Sequence, residues 1–342
     1  MIRIRIDAKQ KKKIEDRHYK YFDDELSLRL DEKKEDQSLG ARQRSFLNFL
    51  YDRKQKLIIG KPDELSRIIK DAETMYQDIT DDLKLTASAF KPVIKEIFDY
   101  DKFSRDVPTE KDKNKWGAYQ LVITLGISAC PYCNRQYIST YFSKNGRTRA
   151  ALDHFFDKAT YPYLSLSLYN LVPCCNVCNS SFKGQETFSL ATHMNPYLSG
   201  FEKEYKFSVG LTREKIQNRE IYNIDFFYGT SSSNNFEIEL KPVAGLENDF
   251  IKQADGNIQV FKIDKMYALH KDYVLDIIKN AIVYNETRVE ELWREYGGTL
   301  FKSKEDVLGM ILTNYVLEED LSKRVLSKLS KDISEELGLL FP

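Results

Sequence analysis

The chain has 342 residues, of which 52 are basic and 52 acidic, so its formal net charge is zero and the molecule as a whole has no electrostatic bias toward nucleic acid. No apolar run approaches the roughly 18 residues of a membrane helix, and the N-terminus lacks a signal-peptide core, which argues against membrane and secreted proteins. With 42% hydrophobic residues at this length, we expect a soluble, cytoplasmic protein of two or three domains.

The first 115 residues are predicted to form a mostly helical region. Met1 to Asp7 alternates isoleucine with arginine, which favours a short strand with one buried face. The basic run Lys9 to Lys13 could contact nucleic acid, but a solvated loop or tail is the better interpretation of a short block of charge. Charges alternate so densely over residues 14–40 that we expect an exposed helix or partial disorder.

Two helical segments follow, at residues 41–59 and 62–106. Pro62 with two acidic residues behind it is typical of a first helical turn, and Pro92 predicts a break or a new helix start. His18 and His270 both stand among charged residues in helical segments, so we expect both at the surface.

Residues 116–200 are predicted to form the functional core. Its predicted elements are a helix over Trp116 to Ile127, a strand over Gln136 to Phe142, a hairpin turn at Asn145-Gly146, a strand over Ala150 to Phe156, a loop or short helix over Tyr161 to Leu168 and a helix over Cys175 to Lys183. Between residues 130 and 190, six basic residues stand against three acidic ones, a small excess where phosphate contacts would be needed.

Residues 201–342 are predicted to combine a small sheet with helices. Period-two patterns predict strands over Lys206 to Gly210, Phe236 to Lys241 and Ile258 to Ile263, separated by the polar segments Gly229 to Asn235 and Asp255 to Asn257. The sheet could help to shape a substrate groove, although no residue pattern assigns it a function.

The C-terminal helices carry clear boundary signals. Met266 to Tyr296 is predicted as one long amphipathic helix ended by two glycines, and Ser303-x-x-Asp306 is a helix-capping pattern. Large apolar residues recur every four positions from Leu321 to Leu337. That stripe is either intramolecular core, which we favour, or a face that binds a partner.

All five cysteines lie between residues 130 and 178, and four of them form two C-x-x-C pairs, Cys130 with Cys133 and Cys175 with Cys178. Two such pairs supply the four thiolates of a tetrahedral zinc site and leave no position for water, which predicts a structural zinc ion. Ordinary buried cysteines or a redox dithiol are the alternatives. Cys174 is out of register with the pairs, and we expect a free thiol there.

Asp153-His154 between the pairs, Asn170, and Asn179 and Lys183 after the last cysteine resemble the HNH family of His-Me finger nucleases. The run from Leu152 to Lys183 is also similar to the PtuB-type HNH proteins of the Septu antiphage systems. The resemblance implies a zinc-stapled ββα-metal nuclease core at 116–200. Together with the helical region predicted at 1–115 and the small sheet plus helices predicted at 201–342, the expected fold class is α+β.

The resemblance implies a role for each matching residue. His154 would be the general base in phosphodiester hydrolysis, Asp153 and Asn179 would hold a catalytic magnesium or manganese ion, and Asn170 would orient the loop of the histidine. Lys183 and Arg135 are the expected substrate contacts. Neighbours on a regular strand point to opposite faces, so Asp153 and His154 share one site only if the strand bends or ends there.

His193 stands in a loop-like segment next to Pro196. It is either an additional metal ligand or substrate contact, or a solvent-exposed loop histidine, and the second interpretation is favoured.

We therefore expect a metal-dependent DNA endonuclease. The Septu resemblance implies a protein partner, an ABC-type ATPase similar to PtuA. This chain contains nothing similar to an ATP-binding loop, so any ATP dependence must come from another subunit. The alternatives are a zinc-stabilised module that binds nucleic acid without cutting it, and an HNH nuclease that cuts RNA.

Overall fold

The structure is a computed structural model that describes residues 1–109, 112, 114–143, 145–211, 213–216, 219–222 and 236–339. Over these residues the fold is a mixture of α and β, mostly helical, with two-stranded sheets. Contacts divide the chain into two compact units. One comprises Met1–Arg3, Ser128–Tyr137 and Ser199–Pro342, and the other comprises Ile4–Ile127 and Ile138–Leu198.

The N-terminal helices of the second unit are α1 (Ala8–Lys34), α2 (Ala41–Asp52), α3 (Lys54–Ile59), α4 (Pro62–Met75), α5 (Gln77–Lys84), α6 (Lys91–Ile97), α7 (Tyr100–Arg105) and α8 (Ala118–Leu125). The predicted helix starts at Pro62 and near Pro92 are confirmed, since α4 begins at Pro62 and α6 begins at Lys91. Proline is tolerated at these positions because the first helical N–H groups have no intrahelical acceptor.

Helix α1 corrects two expectations about the N-terminus. Lys9 to Lys13 lie in its first turns rather than in a loop, and the side chain of Asp7 caps it by accepting a hydrogen bond from the Gln10 amide. The helix is not exposed on all sides, because residues at a spacing of four form a buried stripe. These residues are Ile14, His18, Phe22, Leu26 and Leu30. Dense charges on the other faces obscure this stripe in the sequence.

His18 is therefore buried, contrary to the surface position expected from its charged neighbours. Its Nε2–H donates to the Leu166 carbonyl at 2.8 Å, and the Trp116 indole N–H donates to its Nδ1 at 3.2 Å. Burial lowers the pKa of His18 to about 4, so this histidine is a neutral core residue with both ring nitrogens bonded.

Residues 1–7 do not form the predicted strand, although their burial alternates as the sequence suggests. Ile2 and Ile4 are buried and Arg3 is exposed. The Ile2 amide donates to the Pro131 carbonyl and the Ile4 amide to the Pro196 carbonyl, both at 2.8 Å. The segment satisfies its backbone through separate loops instead of a ladder.

The short strands of the second unit are β1 (Tyr141–Phe142), β2 (Arg147–Thr148), β3 (Ala151–His154) and β4 (Leu171–Cys174), followed by a π-helix over Val177–Lys183. The hairpin turn at Asn145-Gly146 joins β1 to β2, and most of the predicted strand over Gln136 to Phe142 is irregular. The strand with Asp153 and His154 pairs with β4, which places Asp153 opposite Val172 and His154 opposite Leu171.

The first unit contains β5 (Tyr205–Leu211), β6 (Arg213–Ile216), β7 (Arg219–Tyr222), β8 (Phe236–Pro242), α9 (Asn248–Phe261), α10 (Ile263–Tyr267), α11 (Lys271–Val283), α12 (Glu286–Tyr296), α13 (Lys304–Leu312) and α14 (Ser327–Glu336). Strands β5 and β8 are antiparallel, which confirms two of the three predicted strands. The predicted segment Gly229 to Asn235 lies outside the described residues.

The third predicted strand is wrong, because residues 258–263 belong to the end of α9 and the start of α10. The polar segment Asp255-Gly256-Asn257, expected to separate strands, lies inside α9. The buried residues of that helix, Ala254, Asn257 and Phe261, recur at helical spacing. The long helix predicted over 266–296 is interrupted by a 3₁₀ turn at Ala268–His270 and again before α12, where Asn285 is the N-cap.

Two C-terminal predictions are confirmed. The Ser303 side chain caps α13 by accepting from the Asp306 amide, and α12 ends before Gly297. Of the apolar stripe, Leu321, Leu329 and Ile333 are buried within the chain, as expected for core residues.

None of the helices in the described part of the chain combines the length and hydropathy needed to cross a lipid bilayer.

Candidate active site and cysteine cluster

Four buried cysteines, Cys130, Cys133, Cys175 and Cys178, converge on one point, with their sulfur atoms within 4.8 Å of one another. None of them forms a disulfide. Tetrahedral zinc with Zn–S bonds near 2.3 Å separates its sulfurs by about 3.8 Å, so the cluster fits a structural zinc ion. Cys174 is buried but is not part of the cluster. Over the described residues no second group of three or more such ligands converges.

In both cysteine pairs, a backbone amide donates a hydrogen bond to a cysteine sulfur. The Arg135 amide donates to the Cys133 sulfur and the Cys178 amide to the Cys175 sulfur, each at 3.4 Å. Such N–H groups favour the charged thiolate that zinc requires. Asn134 closes the first turn in a left-handed conformation, φ 49°, and its buried side chain bonds to the segment before α14. No pattern in the sequence singled out Asn134.

His154, the predicted base, ends β3 and is buried. Its Nε2 lies 3.0 Å from the Ser165 carbonyl oxygen, which can only accept, so Nε2 carries the hydrogen and Nδ1 carries the lone pair. The ring of Tyr100 packs edge-on against it at 4.5 Å. Burial lowers the pKa of His154 to about 3, and the charges of Lys158 and Lys183 act in the same direction. The imidazole is therefore neutral at pH 7 and can accept a proton.

The side chain of Asn170 bonds the backbone of the loop that follows β3. Its Oδ1 accepts from the Phe156 amide at 2.7 Å, and its Nδ2 donates to the Phe156 and Leu164 carbonyls, both at 3.0 Å. Because the side chain is fully buried, it has no water to replace these partners.

Asn170→Ala is expected to lower the free energy of unfolding by about 2–4 kcal/mol, because it removes the partner of the buried Phe156 amide and carbonyl and one of two donors to the Leu164 carbonyl. Urea denaturation followed by fluorescence measures the loss. Asn176→Ala, which truncates an exposed asparagine nearby, serves as the control and is expected to change stability by less than about 0.5 kcal/mol. Equal stability of the two variants would contradict the assigned role of Asn170.

Lys183 differs from the expected phosphate contact, because its ammonium is buried and bonded inside the protein. It donates to both carboxylate oxygens of Asp153, at 2.7 and 3.0 Å, and to the carbonyls of His154 and Phe155. The side chains of Lys183 and Asp153 are only 3% and 6% exposed. The π-helix turns its last residue inward, and the sequence does not show that direction.

Lys183→Met is expected to destabilise the protein by about 3–5 kcal/mol, because Asp153 would remain buried without its cation. The double variant with Asp153→Asn should recover part of that loss, since it removes the unpaired charge. Lys158→Met, at an exposed lysine, is the control and should stay near wild-type stability. Thermal unfolding of wild type, Lys183→Met, Asp153→Asn and the double variant measures the coupling, with Lys158→Met melted beside them. Additive effects of the two single substitutions would argue against a stabilising pair.

The expected ligands of the catalytic ion, Asp153 and Asn179, differ in their exposure and in their contacts. Asn179 is partly exposed and lines a cleft, whereas Asp153 is buried, does not line that cleft and has both oxygens on the Lys183 ammonium. Within the regular strand β3, Asp153 bonds to Lys183 and His154 packs against Tyr100, as strand alternation requires. A divalent ion on Asp153 would bring two further positive charges beside a buried one. The residues as arranged do not fit that ion.

His193 and Arg135, the other predicted site residues, each have an intramolecular partner. The His193 ring stacks on Phe188 at 3.7 Å, and its Nδ1 hydrogen-bonds Thr192 at 2.9 Å. Burial lowers the pKa of His193 to about 4. The Arg135 Nε–H donates to His270 Nε2 at 3.0 Å.

A cleft of about 480 Å³ lies beside Tyr100, the residue that packs against His154. Its lining includes four cations and no carboxylate. These cations are Arg105, Arg147, Arg149 and Lys158. The zero net charge of the whole chain gives no sign of this local positive charge. Four cations without a carboxylate suit an anionic ligand. Helix α7 contributes Tyr100, Ser104 and Arg105 to the wall, which no motif in the sequence indicates.

Comparisons of this chain with protein-family models, with curated proteins and with solved structures give no match. The chemistry of the cleft is therefore argued from its own residues.

Proposed function

We propose that this protein is an endonuclease that hydrolyses DNA phosphodiester bonds, with His154 as the general base. One observation carries the proposal: a neutral histidine with a lone pair on Nδ1 stands against Tyr100, and Tyr100 lines a cleft with four cations and no carboxylate. Phosphodiesters are the common biological anions that combine a need for cationic binding with a need for a base that activates water.

In the proposed reaction, His154 Nδ1 takes a proton from water as the water oxygen bonds to phosphorus and the bond from phosphorus to the leaving sugar oxygen breaks. The leaving oxygen takes up a proton from solvent water, and His154 returns its proton to solvent after the products leave. The Ser165 carbonyl, which accepts from Nε2–H, stabilises the imidazolium that forms. The substrate phosphate also favours that imidazolium, since its negative charge opposes the effect of the neighbouring lysines. The cleft cations neutralise charge that grows on the phosphate oxygens.

The HNH resemblance adds a magnesium or manganese ion held by Asp153 and Asn179. The Lys183 ammonium already bonds both oxygens of the Asp153 carboxylate, so the proposed reaction does not use such an ion. Cleavage assays with and without a divalent ion measure whether one is required. The same resemblance places the nuclease in antiphage defence beside a PtuA-like ATPase, and that role is part of the proposal.

A second candidate function is the binding of nucleic acid without cleavage. The ion pair between Lys183 and Asp153 favours it, because that pair occupies the carboxylate that a catalytic metal ion would need. The cleft has no carboxylate in its lining, and a pure binding module needs cations but no metal ligand. RNA is an equally good ligand for such a surface, because phosphate contacts do not depend on the sugar.

Incubation of the purified protein with supercoiled plasmid and with an RNA of similar length tests these alternatives. Each substrate is assayed in EDTA, in magnesium and in manganese. Nicking of the plasmid establishes the DNA nuclease, and cutting of the RNA alone reassigns the substrate. Tight, salt-dependent binding with no cutting under any of the three conditions would replace the nuclease by the binding module.

A further inference from the structure

Arg149 differs from the other cations of the cleft because its guanidinium is fixed in place. Its two terminal nitrogens donate to the Ala150 carbonyl and to the Ser104 hydroxyl, each at 2.7 Å. The guanidinium carbon also lies 5.6 Å from the centre of the Tyr119 ring. The side chain is therefore held from three directions while it lines the cleft.

The partners of Arg149 are neutral, so its charge is not compensated. Among the described residues it forms no ion pair with a carboxylate. Surface arginines usually lose side-chain entropy when they grip an anion, and a guanidinium that is already fixed loses less of it. Of its five N–H donors, at least two remain for a ligand after the bonds to Ala150 and Ser104.

Tyr100 connects this guanidinium to the candidate base. Its ring packs against His154 at 4.5 Å, and it lines the same cleft as Ser104 and Arg149. Burial raises the pKa of Tyr100, which keeps the phenol neutral and able to donate a hydrogen bond. A phosphate bound by Arg149 would therefore lie beside the same tyrosine that contacts His154.

We propose that Arg149 is the phosphate clamp of the cleft, with Ser104 as the residue that positions it against the phosphodiester of a nucleic-acid strand. This inference rests on the proposed function. It makes helix α7, outside the HNH-like motif, part of the substrate site. The forked guanidinium grips two phosphate oxygens at once, which a lysine ammonium cannot do in the same geometry.

The matched control is Arg147, which lines the same cleft from β2. It is exposed and makes no hydrogen bond or ion pair with the described residues, so its contribution should be charge alone. Arg149→Lys should weaken binding about tenfold, whereas Arg147→Lys should weaken it only about twofold, because both variants keep the charge and only the first loses a fixed fork.

Ser104 provides the readout for positioning. Ser104→Ala removes the anchor of Arg149 and should weaken binding severalfold, with recovery in Ser104→Thr, which restores the hydroxyl. Loss of a serine with only a structural role would change the melting temperature instead, so the melting temperature of each variant is also measured. Arg149→Lys should keep the salt dependence of wild type, whereas Arg147→Ala should reduce its slope by about one counterion.

Fluorescence anisotropy with a fluorescein-labelled 20-nucleotide single-stranded DNA in EDTA measures binding without cutting, and cleavage of the same oligonucleotide and of plasmid is measured in parallel. Weaker binding and a raised KM for Arg149→Lys, with a clearly smaller change of both in Arg147→Lys, support the clamp. Cleavage and binding by Arg149→Lys at wild-type levels overturn the clamp and leave the nuclease standing. No cleavage by wild type, with binding still weakened in Arg149→Lys, keeps the clamp and removes the nuclease.

Discussion

Replacing His154 by glutamine is expected to slow nucleic-acid cleavage by about 10²- to 10⁴-fold, the range that positioned acid–base groups contribute, while the protein stays folded. Glutamine can still donate an N–H to the Ser165 carbonyl, the bond that now holds the imidazole. It has no basic nitrogen to replace Nδ1. The variant therefore separates the base from its structural support better than alanine does, although His154→Ala should lose cleavage too.

The measurement is the initial rate of plasmid nicking by equal amounts of wild type and His154→Gln, with the melting temperature of each. His193→Gln makes the same chemical change at the nearby histidine that stacks on Phe188, and it is expected to cut at close to the wild-type rate. A folded His154→Gln protein with unchanged rates would remove His154 from the reaction. Loss of activity in His193→Gln alone would move the base to that position.

The parts of the site that follow from local chemistry could be predicted from the sequence. Two C-x-x-C pairs specify a four-sulfur cluster because few other arrangements use thiols at that spacing, and the structure brings all four together. The buried Asn170 amide bonds the backbone of the neighbouring loop, since a buried amide beside a loop has few alternatives.

The direction of a side chain and the convergence of distant segments could not be predicted. Lys183 lies five residues after the last cysteine as the motif requires, yet whether it faces a phosphate or Asp153 depends on the π-helix that carries it. The cleft draws its cations from α7, β2 and the loops beside β3. No single window of sequence contains them, and the near-zero charge of the whole chain conceals them.

In the flanking regions, composition and periodicity indicate different structures. Charges in α1 and the Asp-Gly-Asn run in α9 are typical of loops, but both helices keep a buried stripe at a spacing of three to four. Tertiary packing of that stripe outweighs weak local propensity, because burial of each large apolar side chain contributes about 1.5–3 kcal/mol.

Cys175→Ser is expected to release the zinc ion and to lower stability more than any other substitution considered for this protein. Structural zinc contributes folding free energy directly, with apparent values of about 10–16 kcal/mol in zinc-finger peptides, and a hydroxyl in place of one thiolate weakens the site severely. We expect a loss of at least about 5 kcal/mol, with unfolding of the surrounding core.

Cys174→Ser provides the matched control, because Cys174 is the adjacent residue, is equally buried and lies outside the cluster. Its cost should be only that of a buried hydroxyl, about 1–3 kcal/mol, and the protein should keep its metal. Elemental analysis of freshly purified proteins gives zinc per chain, and thermal unfolding with and without a chelator gives stability. One zinc in wild type and in Cys174→Ser, with none in Cys175→Ser, is the expected pattern. Wild-type protein without zinc, or a Cys175→Ser protein as stable as Cys174→Ser, would show that the four sulfurs converge without a metal to hold them.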